Sequence, residues 1–249
     1  MKISALTLFA FLFFLQSYGQ SLEWSFQANS GLYRLTGNNT VSTTFLNNVQ
    51  ANTKQGYAGN PYGNLRGFSY GGGFQAQYNT RSGFIIGLQT DYDFLRSKEN
   101  VYAVYPSGVY FLTPFYNILT PTDGPTVGHS VLVSQDVDFN PYIGYRLKAK
   151  KVKIDLMPGI DLAYNVSTSE YGSAKDNGGQ KYQTSFYTGT FSPDLRLRFG
   201  AAAWYKKIAL IASYAYGLTN FSSHFLYDDP TPQYTRSELI RFGLALRLN

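Results

Sequence analysis

The 249-residue sequence contains no cysteine, which excludes a disulfide-bonded scaffold and any metal site built from thiolates. Charged residues amount to only 14%, well below the roughly 25% of an ordinary soluble domain. No long apolar run follows the first twenty residues, whereas a helical membrane protein needs about 20 consecutive apolar residues per span. The net charge of +6 is modest and is not clustered, so we expect no nucleic-acid partner.

Aromatic residues and glycine are abundant instead. The sequence has 22 tyrosines, 19 phenylalanines and 24 glycines, and aromatic residues reach 17%. A chain this rich in aromatic residues and this poor in charge is not intrinsically disordered. We therefore expect an ordered protein that has neither the charged surface of a soluble domain nor the long apolar helices of a helical membrane protein.

The N-terminus has the pattern of a secretory signal peptide. Lys2 supplies a positive start, the segment from Ala5 to Leu15 is largely apolar, and Ser17 and Gly19 place small residues just before the predicted cut. The apolar segment is too short for a membrane-spanning helix, and the alternative is a buried N-terminal helix. We predict a signal peptide over residues 1–19 and one exported domain over residues 20–249.

The rest of the sequence alternates apolar and polar residues with a period of two, as in a β-strand that has one apolar face. In one segment Phe84, Ile86 and Leu88 alternate with polar or small residues such as Gln89 and Asp91. The sequence contains eight such segments, which begin at Leu22, Phe68, Phe84, Val131, Val152, Leu195, Ile208 and Ile240. We therefore predict eight antiparallel strands.

The connections between these segments alternate between short and long. Short polar turns lie at 79–83, 148–151 and 204–207, and long links rich in turn residues lie at about 37–65, 96–129, 167–184 and 221–235. Short turns on one side and long loops on the other are typical of bacterial outer-membrane barrels. An even number of strands leaves both termini on the short-turn, periplasmic side.

The charges indicate which face points outward. Within the predicted strands every charged residue shares a face with glycine and polar residues, never with the aromatic residues. A soluble barrel would show the reverse, because unpaired charge in its core costs several kcal/mol. We therefore predict an all-β fold, an eight-stranded antiparallel up-and-down transmembrane β-barrel in the cell outer membrane. The alternative is a soluble β-sandwich or barrel.

Together these features resemble a known family of small outer-membrane barrels. The resemblance rests on Ser17-Tyr18-Gly19-Gln20, the eight spans, the glycine-rich segment 68–78 and the closing strand 239–249. The sequence resembles the PorT-like or outer membrane protein β-barrel domains, whose architectural relatives are OmpX and the OmpA barrel. The resemblance implies insertion by the barrel assembly machinery, and it raises the alternative of an accessory subunit of an outer-membrane secretion or assembly complex.

Acidic and basic residues of nearly equal number lie on the inward face of the predicted barrel. The acids are Glu23, Asp91, Asp93, Asp136, Asp138, Asp155, Asp161 and Asp194, and the bases are Arg146, Lys153, Arg196, Arg198, Arg241 and Arg247. Eight strands leave an interior just wide enough for side chains to fill. We interpret the set as a salt-bridged plug, and the alternative is a narrow ion path.

The predicted loops offer the better candidates for contact with a partner. The segment 101–119 is rich in aromatic residues, and its contact candidates are Tyr102, Tyr105, Tyr110, Phe111, Phe115 and Tyr116. Exposed aromatic residues at this density indicate a contact surface for protein, glycan or lipopolysaccharide. The alternative is a hairpin that turns at Pro106-Ser107-Gly108 and extends two strands beyond the membrane.

Catalytic motifs are scarce. His129 and His224 are the histidines of the chain, and His129 precedes Ser130, a pair that some lipid A-modifying barrels use. Adjacent strand residues face opposite ways, which disfavours cooperation between these two. We predict a non-enzymatic protein without cofactor or metal, whose partners are outer-membrane lipid, lipopolysaccharide and a protein of an envelope complex. A lipid A-modifying enzyme that uses His129 is an alternative.

Overall fold

A computed structural model describes residues 21–49, 51, 53–106, 126–220 and 233–248. The predicted signal peptide, residues 1–19, lies outside this part of the chain and stays a prediction. The described residues form twelve β-strands joined in one sheet. Within the same ranges, no helix has the length and apolar character needed to cross a membrane.

Eight of the strands form a closed ring. The twelve strands are β1 (Ser21–Thr36), β2 (Thr43–Asn47), β3 (Tyr57–Ala58), β4 (Leu65–Asn79), β5 (Phe84–Tyr105), β6 (Val127–Ala149), β7 (Val152–Lys175), β8 (Lys181–Gln183), β9 (Phe186–Gly189), β10 (Asp194–Tyr205), β11 (Ile208–Gly217) and β12 (Arg236–Arg247). Around the ring the order is β1, β4, β5, β6, β7, β10, β11 and β12, every pair is antiparallel, and β12 pairs with β1. The predicted eight-stranded up-and-down barrel is confirmed.

Three short turns lie at one end of the barrel, as predicted. Gly83 (φ 96°), Lys150 (φ 52°) and Lys206 (φ 55°) adopt left-handed conformations there, which close these tight connections. Ser21 pairs with Asn79 at this same end, so the barrel also begins there. We refer to this end as the turn end and to the opposite one as the loop end.

At the loop end the structure corrects the predicted lengths of the links. Pairing of β5 with β6 continues to Val101 and Gly128, and β7 runs on to Lys175, so much of 96–129 and 167–184 is strand. The sequence pattern missed these extensions because outward residues there, such as Arg96 and Lys98, are polar, which ends the apolar alternation. The link 37–65 contains β2 and β3, and β2 pairs in parallel with β5.

These extensions form a small second unit at the loop end, which we term the cap. It consists of β2, β3, β8 and β9 together with the loop-end parts of β5, β6 and β7. Its apolar core contains Leu46, Val49, Ala58, Val101, Val104, Ala174 and Tyr182. The cap is therefore a packed structure with its own core rather than an open loop.

The outer wall and the lumen have opposite character. Large apolar side chains such as Phe84, Phe199 and Phe242 are more than half exposed on the outer wall, while charged side chains are buried inside. The lumen also holds two apolar layers. One, near the turn end, contains Ile85, Tyr142, Met157, Ala202, Trp204, Ala209 and Ala245, and the other, near the loop end, contains Tyr33, Leu35, Tyr62, Leu95, Leu132, Ala215 and Leu239.

Candidate functional site

The buried charges of the lumen lie between the two apolar layers. On β5, Asp91 and Asp93 lie between Ile85 and Leu95, and on β12 Arg241 lies between Leu239 and Ala245. The same order holds on β6, where Asp136 and Asp138 lie between Leu132 and Tyr142. Because side chains alternate across a strand, these residues all project inward, and the shared register of the ring brings them to one height. We term this set the central charge layer.

Arg196 is the hub of the central charge layer. Its guanidinium nitrogens lie 2.5 Å from Asp194 Oδ2, 3.0 Å from Asp136 Oδ2 and 3.4 Å from Asp138 Oδ2, and the residue is only 1% exposed. Charge-assisted contacts of this kind are among the stronger polar interactions in proteins. One buried side chain on β10 therefore binds two carboxylates of β6 and one of its own strand.

Two further arginines complete the layer. Arg241 contacts both Asp93 and Asp138, and Arg198 lies 3.6 Å from both Asp91 and Asp161. Asp161 lies 3.6–3.8 Å from a nitrogen of each of the three arginines. A cavity of about 20 Å³ adjoins Arg198 and Arg241, which is room for about one water molecule.

A second group of charges lies at the turn end, beyond the apolar layer that is near that end. Arg146 makes two hydrogen bonds to Glu23, at 2.8 and 2.9 Å, and two to Asp155, at 2.6 and 2.7 Å. Arg247 lies 2.9 Å from Glu23 Oε2, and its guanidinium carbon lies 4.2 Å from the ring centre of Trp204. We term this group the rim quartet: Glu23, Arg146, Asp155 and Arg247.

One predicted lumen residue does not belong to either group. Lys153 is exposed, and it forms no ion pair within the described part of the chain. It has the inward parity, but it follows the first residue of β7, at the turn end, where the barrel opens to solvent. The other thirteen predicted lumen charges are all in the central charge layer or the rim quartet.

Sequence reasoning missed the apolar layers and two buried acids in the cap. Leu95 and Leu239 are two residues from a lumen charge, so the same period of two could have assigned them inward. Glu99 and Glu170 are each 1% exposed. They lie beyond the apolar band of the outer wall, where β5 and β7 belong to the cap, and the missed strand extensions hid them.

Glu170 connects the parts of the cap. Its carboxylate accepts hydrogen bonds from the Ser130 hydroxyl at 2.8 Å, the Thr184 hydroxyl at 2.8 Å and the Ala58 amide at 3.1 Å. Burial raises the pKa of Glu170, although these donors oppose the shift. Burial, and then the neighbouring Glu170 carboxyl, raise the pKa of Glu99 to about 9.

Two of the six aromatic contact candidates, Tyr102 and Tyr105, lie in the part of the chain that the structure describes. Tyr102 is 53% exposed and lies edge-on to Phe45, with ring centres 6.3 Å apart, and Tyr105 lies 5.3 Å from the same ring. Tyr110, Phe111, Phe115 and Tyr116 lie outside the described residues. Strand β5 extends to Tyr105, which agrees with the alternative that this segment prolongs the strand.

His129 and Ser130 lie on opposite faces of β6. His129 is exposed, whereas Ser130 is buried and donates its hydroxyl to Glu170. The structure does not bring these two residues together. Among the described residues, no cluster of three or more potential His, Cys, Asp or Glu ligands is placed to hold a metal ion.

Comparison with known proteins yields similar solved structures only. No protein-family model matches the chain, and no curated protein matches it. The attachment invasion locus protein Ail of Yersinia pestis, in complex with the heparin analogue sucrose octasulfate, has 12% identity and a TM-score of 0.31, covering 92% of this chain and 99% of Ail. Neisserial surface protein A has 15% identity and a TM-score of 0.34, covering 92% of this chain and 98% of the other. Similarity at this level identifies neither a family nor a function.

Proposed function

We propose that the chain is an integral outer-membrane β-barrel with a sealed, charge-filled lumen, which acts without catalysis through contacts made by its loop end. The observation that carries this proposal is the inverted polarity of the ring. Apolar side chains form a band on its outer wall, and the charges at the height of this band are buried inside. A soluble barrel has no physical reason for this arrangement, whereas lipid requires an apolar outer wall and a closed ring of strands.

The height of the apolar wall supports a membrane location. On β5 the outward residues are apolar or aromatic at most positions from Phe84 to Phe94 and become cationic at Arg96. A transmembrane strand needs about 9–11 residues when it is tilted. In this arrangement the turn end faces the periplasm, and the cap faces the cell exterior.

The layers of the lumen support a plug rather than an ion path. The central charge layer lies between two apolar layers, and the cap lies beyond them at the loop end, on the extensions of β5, β6 and β7. An ion moving through the barrel would have to cross both apolar layers and displace ion pairs. The charges are therefore expected to hold the wall together rather than to conduct.

The cap supports contact with a partner in the envelope or at the cell surface. Tyr57, Tyr102, Phe186 and Tyr187 are all at least 39% exposed on it. Exposed aromatic side chains on a packed unit are typical of contact surfaces. The opposite orientation of His129 and Ser130 gives no support to a lipid A-modifying enzyme.

The absence of cysteine from the sequence allows a direct test of location and orientation. Val127 is 78% exposed at the loop end, and Lys151 lies in a short turn at the other end. Val127→Cys and Lys151→Cys variants of the full chain are expressed in a Gram-negative host and treated with a membrane-impermeant maleimide. We expect Val127→Cys to react on intact cells and Lys151→Cys to react only after the envelope is permeabilised.

Two further measurements complete the test. Recovery of both variants in the soluble fraction, or labelling with the opposite orientation, would overturn the proposal. A protein that co-purifies stoichiometrically from mildly solubilised membranes would favour the role of accessory subunit in a secretion or assembly complex. Recovery of the barrel alone would favour an independent surface protein.

A further inference from the structure

Five cationic side chains lie together on the outer wall, directly beyond its apolar band at the loop end. We term them the basic row: Arg34 on β1, Arg66 on β4, Arg96 and Lys98 on β5, and Arg236 on β12. These four strands are consecutive in the ring. The register places Arg34 opposite Glu238 and Leu65 opposite Lys98, so the row continues from strand to strand.

One acidic residue lies within the row, and its single charge does not neutralise the five cations. Glu238 lies 2.5 Å from Arg34 and 2.8 Å from Arg66. The side chains of Arg34 and Arg66 stay 36% and 42% exposed despite these ion pairs. A guanidinium carries five N–H donors, so both can still donate outward.

Aromatic rings and apolar side chains lie next to the row, on its turn-end side. The Arg96 guanidinium carbon lies 5.0 Å from the ring centre of Tyr70, which holds the charge against the wall. Leu32, Phe68 and Phe94 are each two residues from a cation of the row on the same strand and share its outward face. On each of these strands, the outward face therefore changes from an apolar side chain to a cationic one at the next outward position.

The row occupies one sector of the barrel. On the neighbouring strand β6, the residues paired with Arg96 and Lys98 are Val133 and Val131. On the other side, Glu238 of β12 pairs with Tyr216 of β11. The cations are thus not a ring of general solubilising charge but a one-sided patch at the edge of the apolar band.

We propose that the basic row binds the phosphate groups of a lipid A-type glycolipid, with its acyl chains against Leu32, Phe68 and Phe94. This inference rests on the proposed outer-membrane location. Phosphates of outer-leaflet lipid would lie at the boundary where the wall becomes cationic. Arginine suits such a ligand, because its planar guanidinium donates two parallel hydrogen bonds to phosphate.

The test uses purified full-length barrel in phosphatidylcholine vesicles and measures binding of purified lipid A, of the same lipid without its phosphates, and of inorganic phosphate. The row variant carries Arg66→Gln, Arg96→Gln and Lys98→Gln, which leaves Arg34 paired with Glu238. The matched control removes three cations from the turn end, through Lys148→Gln, Lys151→Gln and Lys207→Gln. Heat-dependent gel mobility shows that each variant is folded.

We expect the row variant to bind lipid A at least tenfold more weakly than the parent, and the control variant to bind it within twofold. The lipid without phosphates should bind the parent as weakly as lipid A binds the row variant. Equal binding of both lipids, equal losses in both variants, or displacement by millimolar inorganic phosphate would each overturn the proposal. If the row variant misfolds, the Arg96→Gln, Lys98→Gln pair makes the same test.

Failure of this inference is distinguishable from failure of the proposed function. Correct maleimide labelling together with equal lipid A binding by all variants leaves the barrel in the outer membrane and removes the site. Recovery in the soluble fraction removes both the membrane location and the site. Labelling with the opposite orientation leaves a membrane protein but removes the outer-leaflet placement on which the site depends.

Discussion

Replacing Arg196 with methionine removes the hub of the central charge layer while keeping a long, unbranched side chain. Arg196 is 1% exposed and lies within 3.4 Å of carboxylate oxygens from Asp136, Asp138 and Asp194. Removing one partner of a buried ion pair leaves charge uncompensated in a medium of low dielectric constant, at a cost of about 3–5 kcal/mol. A typical domain has about 5–15 kcal/mol of stability in total. We therefore expect the Arg196→Met variant to lose a large share of its stability.

Urea unfolding of the refolded barrel in lipid vesicles measures this loss. Trp204 is 3% exposed in the lumen and Trp24 is 47% exposed on the outer wall, so a Trp24→Phe background reports on the interior alone. Lys153→Met is the matched control, since it removes an exposed cation. Surface substitutions of this kind change stability by about 0.5 kcal/mol or less.

A second substitution tests the physical reason for the loss. Asp194 forms its ion pair with Arg196, so Asp194→Asn in the Arg196→Met background removes one uncompensated charge. We expect the double variant to recover at least about 1 kcal/mol. A loss below about 1 kcal/mol for Arg196→Met, or further loss in the double variant, would refute the argument that the layer holds the wall together.

The same variant separates the plug from the ion path. Arg196→Met leaves both apolar layers in place, so we expect no increase in current across a planar bilayer. A clear rise in conductance at unchanged stability would favour the ion path instead.

Three further predictions concern the cap and the packing of the wall. Burial raises the pKa of Glu99 to about 9, so the folded protein keeps a proton that the unfolded chain releases above its usual carboxyl pKa. The stability of the cap should therefore fall as pH rises from about 4.5 to 9, by at most about 1.4 kcal/mol per pH unit for this group. Glu99→Gln should reduce this slope in hydrogen exchange of cap amides, and the raised pKa of Glu170 accounts for the slope that remains. Gly200→Ala should stabilise the barrel by about 0.5–1 kcal/mol in urea unfolding, because the added methyl group would meet no atom closer than 3.5 Å. Gly217→Ala should destabilise it, since that methyl group would lie 2.8 Å from the Ser237 amide nitrogen. Equal effects of the two substitutions would contradict this packing argument. By mass spectrometry, lipid A from a host that expresses His129→Ala should be the same as lipid A from a host that expresses the parent protein. A difference in acylation between the two would restore the enzymatic alternative.

The period of two in the sequence was enough to determine the eight strands and their polarity. Side-chain direction in a strand depends on the backbone alone, so Phe84, Ile86 and Leu88 had to share a face opposite Gln89 and Asp91. The short turns were equally local, because a few polar residues between two alternating segments leave room only for a tight connection. These features could be predicted without any knowledge of which strands meet.

The order of layers inside the lumen was decided only by the tertiary structure. Arg196 and Asp136 share one height because of the register and tilt of strands far apart in sequence, and a period of two carries no information on height. The same holds for Lys153, whose parity is inward but whose position at the rim exposes it.

The cap and the basic row likewise needed the closed ring. Glu99 and Glu170 come together only because β5, β6 and β7 stay paired beyond the apolar band, where the alternation that predicts strands has ended. Arg34, Arg66 and Arg236 are dispersed along the sequence, and Arg236 joins the other two only when β12 returns to pair with β1. The sequence by itself thus determined which way each side chain of a barrel strand points, because direction is a local property of a strand. The closure of the ring decided which of those side chains meet, because the height of a residue in the barrel depends on how distant strands pair.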